Sequence, residues 1–168
     1  MRWEGRALGF DSILQRRVLR CHPRQTFRIH GERTRRGAYY QVSIFKTLTQ
    51  VRRAANVLTR DSRDRRTGKP TNSGGFKRAG GLTHSCSVLR RVNGRWRLSH
   101  CVGFMLLCDV YMGAGYVAHE CTHAATYMLL PQKLDVFNNQ EHDEKFAWLT
   151  GQLVADFWSE WYKRNRDV

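Results

Sequence analysis

The 168-residue chain is short of several things, and each shortage narrows what it can be. No run approaches the roughly 18 apolar residues that would span a bilayer. The longest, CVGFMLLC at 101–108, has the length of a buried strand. The opening MRWEGRALGFDSILQRR holds no apolar stretch of signal-peptide length and no small-residue cleavage site, so a cytoplasmic protein without membrane contact is expected. The five cysteines (Cys21, Cys86, Cys101, Cys108, Cys121) are odd in number and form no CxxC pair, which argues for buried reduced thiols over disulfides or a cysteine-based metal site. No internal repeat is visible. Acidic residues are scarce in the first hundred positions, 5 against 24 Lys and Arg, whereas residues 101–168 hold 9 against 5. So basic a half fits contact with polyanions such as nucleic acid or an acidic protein face, or else a well-solvated surface.

What is present is enough for one folded domain. Hydrophobic residues make up 41% and aromatic residues 11%, too rich for a disordered chain and sufficient, at this length, for a real core. Residues 1–25 read as a basic, irregular arm, and 26–168 as a single domain. QTFRIHG and AYYQVSIF have strand character, the second with Tyr40, Val42 and Ile44 alternating against Gln41, Ser43 and Phe45. The period then changes: Leu48, Val51, Ala55 and Leu58 make a helix face, opened by Thr47 and Gln50 in capping-box spacing. Residues 60–83 carry charge, five glycines and no apolar period, which predicts a mobile basic loop and the segment best suited to touch nucleic acid. Asn93-Gly94 between two strand-like runs signals a hairpin, and CVGFMLLC a buried strand. A helix over about 110–130, capped by Asp109 and ended by Pro131, is followed by a last helix at about 140–163. In that helix Phe146, Leu149, Leu153, Phe157 and Trp161 form a core stripe.

The chemistry concentrates in YVAHECTHAATYMLL, 116–130. On a helix, positions i and i+4 lie 40° apart and about 6 Å along the axis, so His119 and His123 project from one face and can bind one ion. Glu120, turned 100° from His119, is poorly placed to join them as a ligand but can reach a water on the metal. Zinc takes nitrogen ligands and lowers the pKa of its water toward neutrality, and a carboxylate beside that water can accept its proton. The motif H-E-x-x-H should arise by chance in roughly one chain of this composition per hundred. The competing reading is an ordinary helix with surface or hydrogen-bonded histidines. A catalytic site also needs a third protein ligand. Position 129 is Leu129, which excludes the metzincin spacing; the remaining candidates are Asp135, Glu141, His142, Asp143 and Glu144. Tyr116 and Tyr127, three and four residues from the histidines, are candidate donors to a transition-state oxygen.

HECTH, 20 residues, then EKFAWLTGQLV resembles the gluzincin arrangement, in which HExxH sits on one helix and a ligand Glu early on the next. The second segment is similar to the E-x-x-A pattern of small zinc metallopeptidases of phage, prophage and ImmA-like type. The resemblance covers about 65 residues. It implies Zn2+ held by His119, His123 and Glu144, with Glu120 as general base; Glu141, with His142 behind it, is the fallback third ligand. The pattern's Asp four residues after the ligand Glu is Trp148 here, so another group must orient the first histidine, and Asp109 is one candidate. The implied fold is an α+β minimal zincin: a small mixed sheet, a backing helix, the HExxH helix and a Glu-bearing C-terminal helix. The implied function is peptide hydrolysis by metal-bound water. The alternative is a basic nucleic-acid-binding protein whose zincin-like fold is structural or catalytically silent. Glu120, which such a protein would not need, favours catalysis.

Overall fold

A computed structural model of the chain describes residues 13–31, 37–59, 80–86, 89–92, 95–98, 100–129 and 139–166. In chain order these form α1 (Ile13–Leu19), β1 (Gln25–His30), β2 (Tyr39–Phe45), α2 (Leu48–Thr59), β3 (Gly81–Ser85), β4 (Leu89–Val92), β5 (Arg95–Leu98), β6 (Cys101–Cys108), α3 (Ala114–Leu129) and α4 (Gln140–Arg164). The architecture is mixed α+β. A four-stranded sheet runs β1-β2-β6-β3; β2 and β6 pair parallel, and the outer pairs are antiparallel. The central strands are almost wholly buried, as expected of strands covered on both faces.

Among the described elements, each face of the sheet carries two helices. Phe27, Ile29, Tyr40, Val42, Ile44, Met105 and Leu107 pack on α3 and α4, where Leu149, Leu153 and Phe157 supply the expected stripe. Phe157 meets Phe27 edge to face, ring centroids 5.3 Å apart. On the other face Tyr39, Phe45, Phe104, Leu106 and Cys108 pack on Val18 of α1 and on Val51, Ala55 and Leu58 of α2. The two sets separate because side chains alternate along a strand, with one interruption. Tyr39 pairs with Cys101 but Tyr40 with Gly103, so β6 gains a residue and its face parity shifts. A Cβ at Gly103 would lie 2.3 Å from Tyr40 Cε1 and 2.5 Å from the His84 carbonyl oxygen; only hydrogen fits there.

Several local expectations are met in detail. The Thr47 hydroxyl accepts from the Gln50 amide at 3.3 Å, and Gln50 Oε1 accepts from the Thr47 amide at 3.2 Å, the reciprocal capping box. Val92 lies opposite Arg95, so β4 and β5 flank the Asn93-Gly94 pair, which itself lies outside the described residues. The five cysteines form no disulfide with one another; four are buried and Cys86 is half-buried. Burial pushes the Cys86 thiol up to about 12, Cys101 to about 11 and Cys121 to about 12, the last also by the nearby Glu120 and Asp156 charges.

Three expectations are corrected. The irregular arm contains α1, held by Val18 in the core and by Gln15, whose side-chain amide donates to the Tyr39 hydroxyl at 3.2 Å. A seven-residue helix is marginal alone, and packing rather than local signal forms it. The basic loop ends sooner than position 83: residues 60–79 lie outside the described residues, but Gly81–Ser85 is an edge strand. Asp109 does not cap the long helix. It heads a 3-10 turn over Asp109–Tyr111, α3 starts at Ala114, and the carboxylate pairs with Arg24 at 2.5 Å. No helix among the described residues is long and apolar enough to cross a membrane.

Candidate metal and catalytic site

Helix α3 turns Val117, Cys121, Ala124, Ala125 and Met128 onto the sheet and leaves His119 and His123 exposed. Small Ala124 and Ala125 let the helix lie close to the strands. On the exposed face His119 Nε2 and His123 Nε2 are 3.1 Å apart, with the rings at 89°. Two nitrogens each about 2.0–2.1 Å from a tetrahedral ion would be separated by about 3.3 Å. The pair therefore fits two adjacent corners of a zinc centre. At this distance neutral rings can also share an N–H···N hydrogen bond, according to tautomer.

Glu120 points the other way. It is buried, 4% exposed, between α3 and the edge strand β3. Its Oε2 accepts from the Thr83 hydroxyl at 2.6 Å, and the same hydroxyl lies 3.1 Å from the Glu120 main-chain carbonyl oxygen. A distance of 2.6 Å is in the short range for a hydroxyl donating to a carboxylate. Thr83, itself buried, thus fixes the rotamer of the motif's carboxylate. Sequence reasoning missed this residue because it fell inside the expected loop. The available signal was the stretch LTHS after the Gly80-Gly81 pair.

Tyr116 completes the group on this side. Its ring is 6.4 Å from that of His119; its hydroxyl lies against Gly80 and its ring edge against Gly81. A Cβ at Gly81 would come within 3.0 Å of the Tyr116 ring and 2.7 Å of the Leu106 carbonyl oxygen, so the close approach of β3 to α3 depends on glycine. Burial, then the neighbouring Glu120 charge, holds the Tyr116 phenol above its usual range; it stays a protonated donor at neutral pH. Tyr127 lies one turn beyond His123 and is 39% exposed.

The proposed third ligands lie near the start of α4, Glu141 and His142 in its first turn and Glu144 just after it; Asn139 caps the helix by accepting from the Glu141 and His142 amides. Glu144 is exposed there. Glu141 is bound by Lys145 at 2.5 Å, which holds its carboxyl below the usual range, and His142 is half-buried. Among the described residues no three His, Cys, Asp or Glu side chains come together to hold a metal. The structure brings the two histidines together with Tyr116 beside His119, sets the Glu120 carboxylate on the buried side of the helix against Thr83, and leaves Glu144, Glu141 and His142 apart from the pair. Residues 130–138, which join α3 to α4 and include Asp135, lie outside the described residues. Asp109 is engaged with Arg24. Compared with models of protein families, with curated proteins and with solved structures, the chain matches none.

Proposed function

We propose that this is a zinc-dependent peptide hydrolase of gluzincin type on a minimal zincin fold. The observation that carries the reading is the paired geometry on α3: two imidazole nitrogens converging at 3.1 Å, and a carboxylate one residue away pinned by Thr83 at 2.6 Å. His119 and His123 would hold the ion, with Glu144 as the third ligand brought from near the start of α4. When bound, zinc supplies Lewis-acid polarisation and lowers the pKa of water. The remaining work falls to side chains of the chain. Glu120 would accept the proton of the attacking water and deliver it to the leaving amine as the C–N bond breaks, which requires its carboxylate to turn from Thr83 toward the histidine face. Thr83 holds that carboxylate in its buried resting rotamer, and the Tyr116 hydroxyl is a donor for the oxygen that gains charge. An extended peptide would lie along β3, the edge strand nearest Glu120, by strand addition.

The test is Glu120→Gln, which nearly preserves shape but gives an amide that cannot take a proton at neutral pH. Zinc occupancy is expected to stay at the wild-type level, while hydrolysis of a peptide library falls by about two to four orders of magnitude. Wild-type protein that binds zinc and cleaves nothing would support the silent, nucleic-acid-binding alternative. Equal cleavage by both proteins would exclude Glu120 as the base.

A further inference from the structure

The two helical layers differ sharply in charge. Residues 13–31 and 37–59, which supply α1, β1, β2 and α2, contain eight Lys and Arg and no Asp or Glu. Residues 100–129 contain no Lys or Arg, and α4 carries five acidic residues against three basic ones. Of the eight, Arg16, Arg17, Arg20, Arg52 and Arg53 lie on α1, at its end or on α2, across the sheet from α3, whereas Arg24 pairs with Asp109 and Arg28 lies beside α4. Arg16, Arg17, Arg20 and Arg53 are all exposed there. Arg16 and Arg20 stand one turn apart, the Arg20 amide donating to the Arg16 carbonyl at 3.2 Å. The Arg53 charge reaches the Cys21 thiol next to Arg20, where it opposes the upward push of burial. Arg53 on α2 and the end of α1 thus belong to one surface.

We infer that this α1/α2 surface binds the phosphate backbone of a nucleic-acid duplex. All five cations of this layer are arginine, whose planar fork matches phosphate oxygens in a bidentate way. What the surface lacks narrows the partner. Among the described residues the exposed large apolar side chains are Val110, Tyr111, Tyr127, Trp148 and Tyr162, none of them on α1 or α2. The described residues of α1 and α2 thus offer no aromatic platform for stacking single-stranded bases, no apolar face to enter a membrane interface and no aromatic anchor for a protein hot spot. Phosphate contact alone is independent of sequence. A duplex held there leaves the α3 face clear on the other side of the sheet, whether or not that face hydrolyses peptides.

The test uses the full chain and a fluorescent 20-base-pair DNA duplex, titrated between 50 and 200 mM salt, with duplex RNA, the DNA single strand and vesicles of phosphatidylserine as parallel arms. Binding to the DNA or RNA duplex is expected to weaken with salt. Arg16→Ala with Arg20→Ala should reduce the slope of log affinity against log salt by about 0.9 per lost phosphate contact on DNA. Arg16→Lys with Arg20→Lys should keep the slope, which separates charge from folding. Lys163→Ala with Arg164→Ala, an equal charge removed from α4, should change it little. The inference is overturned by absence of duplex binding at 50 mM salt, by an unchanged slope in the Arg16/Arg20 alanine variant, or by single strand or vesicles binding as tightly as duplex.

Discussion

Replacing Thr83 by Val keeps the shape of a buried strand residue and deletes one hydroxyl. That hydroxyl has a single proton and two acceptors, Glu120 Oε2 at 2.6 Å and the Glu120 carbonyl oxygen at 3.1 Å; the shorter contact takes the proton. A hydrogen bond to a charged group contributes about 1.5–3 kcal/mol, and the carboxylate left behind is 4% exposed, so water can replace the donor only poorly. Thr83→Val should therefore destabilise the fold by about 1.5–3 kcal/mol, a fall in melting temperature of several degrees at about 2–4 °C per kcal/mol. In a Glu120→Ala background the hydroxyl can swing to the carbonyl, a neutral bond of about 0.5–1.5 kcal/mol. A double-mutant cycle measured by urea unfolding should give a coupling of about 1 kcal/mol or more between the two positions. A coupling within about 0.3 kcal/mol of zero, the limit for independent sites, would refute the link between β3 and the motif's carboxylate.

Other perturbations probe the remaining parts. Glu144→Ala should remove most zinc affinity and Glu141→Ala little of it, since Glu141 is already bound by Lys145; the reverse result, read by metal titration, would exchange the two assignments. Asn139→Ala should cost about 1 kcal/mol by leaving the Glu141 and His142 amides uncapped, seen as a lower unfolding midpoint with an unchanged slope. The buried thiols give a pH signature. Cys121 is raised from 9.0 to about 12, so its neutral form adds stability that is fully present below pH 9 and is lost as pH rises toward 12. Melting temperature should hold level from pH 7 to 9 and then decline, and Cys121→Ala should flatten that decline.

Much of this was legible in the sequence where local chemistry and tertiary packing agree. The period-two run of β2, the Thr47–Gln50 box, the apolar stretch of β6 and the aromatic stripe of α4 are each written within a few residues, and each forms as read. The i,i+4 spacing of His119 and His123 likewise determined their common face. What could not be read depends on contacts distant in the chain. Helix α1 exists because Val18 and Gln15 meet the sheet more than twenty residues away. Gly81–Ser85 looks like the end of a loop until β6 offers it a ladder, and Thr83 gains its role only from that pairing. The partner of Asp109 is 85 positions upstream, so a residue with good capping chemistry goes instead to Arg24.

The zinc content of the purified chain bears most directly on the proposal. Elemental analysis of wild type and His123→Ala, both dialysed against metal-free buffer, should give one zinc per chain in the first and almost none in the second. Zinc absent from both, or equal in both, would contradict a metal centre at His119 and His123, and the hydrolase reading would fall with it.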